Sequence, residues 1–250
     1  MPALIPDNQL RVIFYNHFIP AIALAGSIFK RFIMKSQINE FSSNLDAHQV
    51  YTILKEGNKR FAKNTGNGGK ARMQNREEPA IVILSCIDCP DSPETIFDIE
   101  QGKILNICIA GNVVNDEILG SIEYACKTAG AKLIVVLGHT KCGVVKEACE
   151  GNKEGQFSQL HKKIQPAVES SKAYGLGENN YLYLEKVSYT NVINSMAEIM
   201  QRSQVLNEWC RQGKAGIVAG MYNLESRRVH FVREILPEQV KEFPPAEKTG

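Results

Sequence analysis

Two uninterrupted apolar runs stand out along the chain, Ala80-Ile81-Val82-Ile83-Leu84 and Leu133-Ile134-Val135-Val136-Leu137. Short runs rich in β-branched residues and bounded by turn formers read as strands buried on both faces. Residues 104–110 form a third such segment, closed by Gly111-Asn112. Near the C-terminus, residues 214–224 and 228–232 alternate well enough to be two strands joined at Glu225-Ser226-Arg227.

Between the strands the apolar spacing becomes helical. Residues 46–64 carry Val50, Leu54 and Phe61 among charged positions. Ser92-Pro93-Glu94 is a helix start, with Ser as N-cap and Pro at the first helical position, and that helix is expected to end near Gln101-Gly102. Asn115 or Asp116 caps another, with Ile118, Ile122 and Ala125 on one face and Gly130 as its stop. A helix starts just after Cys142 and carries Val144, Val145 and Ala148; residues 156–172, 181–202 and 205–212 supply three more. Strands alternating with helices predict an α/β fold with a mainly parallel sheet, one antiparallel edge strand and helices on both faces. The expected organisation is one domain over 46–236, a glycine-rich basic loop at 64–78, and a flexible polar tail at 237–250.

Residues 1–45 leave several readings open. The apolar stretch 12–29 is broken by Asn16, His17 and Pro20, whereas a membrane span wants ~20 mostly apolar residues. Ala23-Leu24-Ala25 has the small-x-small form of a signal cleavage site, and Asp7 is the sole acidic residue before Glu40, as in a transit peptide. The segment is therefore an arm packing on the domain or on a partner subunit, an export signal, a transit peptide, or a membrane contact. A cytoplasmic location is the leading expectation, with export or an organelle as the alternative.

Composition changes this picture little. In 250 residues, 44% hydrophobic and 22% charged content with a net charge of +2 is ordinary for a globular protein and offers no basic surface for nucleic acid. The seven cysteines, at 86, 89, 108, 126, 142, 149 and 210, are odd in number, so they cannot form a fully paired disulfide framework. Two metal-bound thiolates and five buried or free thiols is the simpler account, and it favours a reducing compartment.

The candidate chemistry sits just past the two apolar runs. Cys86-Ile87-Asp88 follows the first, and His139-Thr140-Lys141-Cys142 follows the second. In an open α/β sheet, ligands gather beyond the carboxyl ends of parallel strands. Cys86, Asp88, His139 and Cys142 form a zinc-compatible set. If water takes the fourth position, zinc lowers its pKa toward neutrality and the site is catalytic; if Asp88 takes it, the tetrahedron is closed, as in structural sites. Cys89 could compete for the metal or oxidise with Cys86. Cys108, Cys126, Cys149 and Cys210 read as small core or surface residues, and His17, His48, His161 and His230 have no assigned role.

These residues belong to a wider pattern that resembles the β-class carbonic anhydrases. It comprises Leu54-Lys55-Glu56-Gly57-Asn58-Lys59-Arg60-Phe61, Ser85-Cys86-Ile87-Asp88, Pro93-Glu94-Thr95-Ile96-Phe97, Ala110-Gly111-Asn112-Val113-Val114, Leu137-Gly138-His139-Thr140-Lys141-Cys142-Gly143, Gly216-Ile217-Val218 and Tyr222-Asn223-Leu224-Glu225. The resemblance covers nearly all of 46–233. It implies a zinc enzyme that interconverts carbon dioxide and bicarbonate, with an N-terminal helical arm that wraps a partner in a homodimer or a multiple of dimers. It also implies Cys86, His139 and Cys142 as constant metal ligands and Asp88 as the aspartate of a catalytic Asp–Arg dyad, which in some members binds zinc at rest.

The chain departs from that pattern at the dyad. Pro90 stands where the family places the arginine, and a second arginine, usually just before the Ala-Gly-Asn turn, is missing from Ile107-Cys108-Ile109-Ala110-Gly111-Asn112. Proline offers neither a donor nor a charge. Asp88 is therefore expected to turn to the zinc, giving a closed and slow site unless another cation, such as Lys103, reaches it. Three functions compete: a slow carbonic anhydrase, a non-catalytic zinc protein on the same fold, and a hydrolase of another small linear molecule such as carbon disulfide.

Overall fold

The sheet has five strands in the order β2-β1-β3-β4-β5. They are β1 (Ile81–Ser85), β2 (Ile104–Cys108), β3 (Leu133–His139), β4 (Gly216–Asn223) and β5 (Arg228–Ile235). The first four run parallel, and β5 pairs antiparallel with β4. Seven helices accompany them among the described residues: α1 (Ala47–Ala62), α2 (Pro93–Ile96), α3 (Asp116–Lys127), α4 (Gly143–Glu150), α5 (Phe157–Lys172), α6 (Tyr181–Arg202) and α7 (Gln204–Arg211). This computed structural model describes residues 45–66, 79–151, 155–173 and 180–237, which belong to one compact unit. The expectations for the segment before residue 45, most of the 64–78 loop and nearly all of the tail lie outside the described residues.

The two apolar runs are the central strands β1 and β3, every residue of which is buried. Alternate residues point to opposite layers. Val82, Leu84, Ile134, Val136, Ile217 and Ala219 pack with Ile118 and Ile122 of α3, Val192, Met196 and Ile199 of α6, and Leu206 of α7. On the other face lies α1, whose Tyr51 meets Phe231 edge-on at 4.8 Å between ring centroids. Its Phe61 lies against Tyr222 at 6.5 Å.

Local chemistry sets the element ends. Asp46 and Gln49 form a reciprocal capping box on α1. The Ser92 hydroxyl caps α2, and the side chain of Asn115 caps α3. Two segments are shorter than their patterns suggest. The helix begun at Ser92 stops at Ile96, because Asp98 takes a left-handed backbone (φ 48) and its carboxylate is held by Arg60 Nε at 2.6 Å. Strand β2 stops at Cys108, because the chain then tightens into a 3₁₀ turn over Ala110–Asn112, with Gly111 at φ 69 and Asn112 at φ 43. Strand β5 runs on to Ile235, three residues past the expected end, after a bulge opposite Ala219 and Gly220.

One polar residue ties several of these pieces together. Asn58, buried on α1, donates through Nδ2 to the carbonyls of Ile96 and Arg227, each at 3.1 Å, and accepts the Val229 amide at 2.9 Å. It joins α1 to the end of α2 and to the β4–β5 turn. Among the described residues, no helix is long and apolar enough to cross a membrane.

Candidate metal centre

Parallel pairing sets Ser85 opposite Cys108 on one side and Leu137 on the other, so β1 and β2 end level and β3 runs two residues further, to His139. Cys86 is the first residue past β1, His139 is the last of β3, and Cys142 is the N-cap of α4. Their ligand atoms all lie within 4.8 Å of one another, and all three residues are buried. The structure thus unites the two halves of the sequence pattern.

The donor geometry suits a zinc ion. Cys86 Sγ and Cys142 Sγ are 3.7 Å apart. Tetrahedral zinc with bonds of ~2.3 Å places two sulfurs about 3.8 Å apart. His139 Nδ1 lies 3.0 Å from the Thr140 carbonyl. That carbonyl can only accept, so Nδ1 carries a proton, and in the neutral ring Nε2 keeps its lone pair for a metal. Nε2 is buried and has no hydrogen-bond partner among the described residues, a costly state that a metal would relieve.

The surroundings favour thiolate. Cys86 Sγ accepts the amides of Gly111 at 3.2 Å and Asp88 at 3.4 Å. Its thiol is held well below the ordinary range, first by the hydrogen bond with Cys142, against the opposing effect of burial. Cys142 is pushed up by the same pairing and by burial. The other cysteines differ. Burial pushes Cys126 and Cys210 up to about 12, as expected of inert core thiols. Cys89 is half-buried, bonds the Asp91 carbonyl at 3.4 Å and is raised to about 11, chiefly by burial. Cys149 is buried and Cys108 is exposed. His161 is buried against the Ala148 carbonyl at 2.6 Å, and neither His48 on α1 nor His230 on β5 joins the group.

Asp88, the fourth ligand expected from the sequence, is exposed and stands outside the three-residue group. Its Oδ2 accepts the Gly143 amide, at the start of α4, at 2.6 Å. Pro90 gives it nothing. Lys103 lies just before β2, beside the opposite end of β1. The five residues of β1 put roughly 17 Å between that end and the site, beyond the reach of a lysine side chain.

The short turn between His139 and Cys142 is held from two directions. The Thr140 amide donates to the Tyr222 carbonyl at 2.9 Å, and the Thr140 hydroxyl accepts the Leu224 amide at 3.0 Å. The Lys141 amide donates to Glu185 Oε1 on α6 at 3.0 Å, and Lys141 Nζ pairs with Glu225 at 2.6 Å. The loop after Cys86 is pinned to β4, where the Tyr222 hydroxyl donates to Asp91 Oδ2 at 2.6 Å. The sequence pattern includes Thr140, Lys141, Tyr222, Leu224 and Glu225 but gives none of them a supporting role, and Glu185 and Asp91 lie outside it. Glu185 is one carboxylate on a 22-residue helix, with no local spacing to mark it.

Comparison with known proteins agrees with this geometry. The family model described as carbonic anhydrase matches residues 81–229, more than half the chain. Carbonic anhydrase 2 of Mycobacterium tuberculosis is 29% identical over 196 residues, covering 74% of this chain and 92% of that one. The carbonic anhydrase of Mycolicibacterium smegmatis is 28% identical over 193 residues, covering 73% and 91%. Among solved structures, a tetrameric β-carbonic anhydrase from Sordaria macrospora superposes with a TM-score of 0.58 at 17% identity, over 62% of this chain and 81% of that one. The Coccomyxa β-carbonic anhydrase in complex with acetazolamide gives 0.56 at 19% identity, over 64% and 74%.

Proposed function

The chain belongs to the carbonic anhydrase family, and from that premise we propose that it catalyses the zinc-dependent, reversible hydration of carbon dioxide to bicarbonate, at a reduced rate. The observation that carries the reading is the buried Cys86–His139–Cys142 group, with its sulfur spacing and its unpartnered Nε2. Cys86 Sγ, His139 Nε2 and Cys142 Sγ would hold the zinc. Zinc in such a site supplies the Lewis acidity that lets a water molecule lose its proton near neutral pH.

Asp88 is the residue proposed to decide the rate. With Oδ2 fixed on the Gly143 amide, Oδ1 is left to accept a hydrogen bond from the reacting water and to orient its attack on carbon dioxide. The same carboxylate competes as a fourth metal ligand. Attraction of a carboxylate to a cation at contact is on the order of 4 kcal/mol at an effective dielectric near 20. A hydrogen bond to a charged acceptor is worth about 1.5–3 kcal/mol. The two are of similar size, so the Gly143 amide stands in only in part for the arginine that Pro90 replaces. Asp88 would then divide its time between the metal and the Gly143 amide, which would make turnover slow rather than absent.

Residues 46–236 form the catalytic unit in this reading, with 1–45 as an arm and a homodimer or multiple of dimers as the assembly. Exposed Ile87, Tyr181 and Leu182 support association. A cytoplasmic location suits two metal thiolates and a set of unpaired cysteines.

Pro90 and the missing second arginine favour one other reading, a non-catalytic zinc protein on the same fold. Stopped-flow carbon dioxide hydration by the zinc-loaded protein separates the two. Slow, zinc-dependent hydration that rises in Pro90→Arg supports the enzyme. No hydration by either zinc-loaded protein supports the non-catalytic reading.

A further inference from the structure

Glu185 lies far along the chain from every residue of the metal centre, yet it reaches the middle of the ligand turn. Only Thr140 and Lys141 separate His139 from Cys142. Thr140 is fixed to the end of β4 by two hydrogen bonds. Lys141 has the left-handed backbone (φ 57) that residues with a Cβ avoid. Its conformation decides where Cys142 goes next. If it relaxed to an extended or right-handed backbone, the chain would swing Cys142 away from His139.

Two contacts oppose that relaxation. The pair of Lys141 Nζ with Glu225 is exposed at both ends, so solvent and salt weaken it. The bond from the Lys141 amide to Glu185 also lies at the surface, but its acceptor stands on a packed helix. Glu185 is half-buried and sits on α6 between buried Tyr183 and buried Val187 and Ser188. The core therefore anchors its carboxylate at a fixed height above the turn, and the bond acts on the backbone rather than on a flexible side chain.

We infer that Glu185 is a positioning residue for the metal centre, which through the Lys141 amide holds the His139–Cys142 turn in its ligating shape. The inference rests on the zinc site proposed above. Glu185 touches neither metal nor substrate. It acts as the outer support of a ligand pair, a role whose loss typically weakens metal affinity 10- to 100-fold.

The test uses the full chain, stripped of metal and titrated with zinc against a chromophoric chelator. Wild type is expected to bind one zinc, and Glu185→Ala to bind it at least ~10-fold more weakly. Glu185→Gln keeps an oxygen for the Lys141 amide and should stay within about 3-fold of wild type. In a Lys141→Gly background the left-handed backbone is free of strain, so adding Glu185→Ala should cost about 3-fold or less. Thermal unfolding of the metal-free proteins should be alike throughout, separating positioning from general stability. Three results would overturn the inference: Glu185→Ala binding zinc like wild type, Glu185→Gln binding as weakly as Glu185→Ala, or an undiminished loss in the glycine background. Wild type that binds no zinc would sink the functional reading as well. Tight wild-type binding with an indifferent Glu185→Ala would sink this inference alone.

Discussion

The Asp88 carboxylate and the Gly143 amide meet at 2.6 Å, joining the loop after β1 to the first residue of α4. Gly143 immediately follows the proposed ligand Cys142, so the bond ties the turn of the proposed metal site to the acid that faces it. A side chain at 143 would crowd this contact, since a Cβ there would sit 3.2 Å from Asp88 Oδ2.

Removing the donor should therefore expose the competition proposed for Asp88. Proline is well suited to the first position of a helix, and Cys142 already has the extended backbone (ψ 116) that a following proline requires. Gly143→Pro should leave zinc content unchanged and lower kcat/KM for carbon dioxide about 10- to 150-fold below that of Gly143→Ala, which adds the same Cβ but keeps the N–H, the effect of losing a bond of ~1.5–3 kcal/mol. Steady-state hydration beside metal analysis checks it, and a kcat/KM no lower than that of Gly143→Ala would remove the Gly143 amide from the mechanism.

Metal retention depends on the thiolate pair. Cys142→Ser replaces one of two sulfurs 3.7 Å apart with a hard, weakly acidic oxygen. The variant should lose zinc to a mild chelator under conditions where wild type retains one per chain. Full and equally tight zinc in Cys142→Ser would contradict the ligand assignment.

Much of this was legible in the sequence, for a physical reason. The runs in β1 and β3 are apolar throughout because both faces of a central parallel strand are covered, and the proposed ligands lie just past the ends of the runs. The joint strand-end pattern therefore placed Cys86, His139 and Cys142 together. The supporting roles were not legible, even where the residues stood in the sequence motifs. Glu185, Tyr222 and the Gly111 and Gly143 amides act through contacts that the packing of α6, β4 and the turns creates, and an amide carries no side-chain signal. Lys103 shows the reverse error: its charge was visible, but only the strand register puts it at the wrong end of the sheet.

Asn58 gives a stability prediction away from the site. Its side chain satisfies two carbonyls and one amide in and around the core. Asn58→Ala would leave these groups without partners, at a cost of about 3 kcal/mol. For a domain of this size that lowers Tm by roughly 8 °C. Calorimetry checks the value, and a shift of a degree or less would mean that water replaces the amide.

Gly138 precedes His139 within β3 and packs against α6 so closely that a methyl group has no room. A Cβ there would lie 2.3 Å from Val192 Cγ2 and 2.9 Å from Met221 Sδ. Both neighbours are buried in the main core, so neither can swing out to solvent. Gly138→Ala should cost about 1–3 kcal/mol, as overpacking generally does. It should also weaken zinc binding, because the strain falls on the bond next to a ligand. The shorter of the two contacts is one methyl group against another, so the larger part of the strain can be relieved from the other side. Val192→Ala removes the nearest atom and on its own leaves a small cavity, costing about 1–2 kcal/mol. The double variant should be more stable than the sum of the two losses predicts and should regain most of its zinc affinity. Purely additive losses in stability and affinity would show that Gly138 is needed for its backbone and not for the space it leaves.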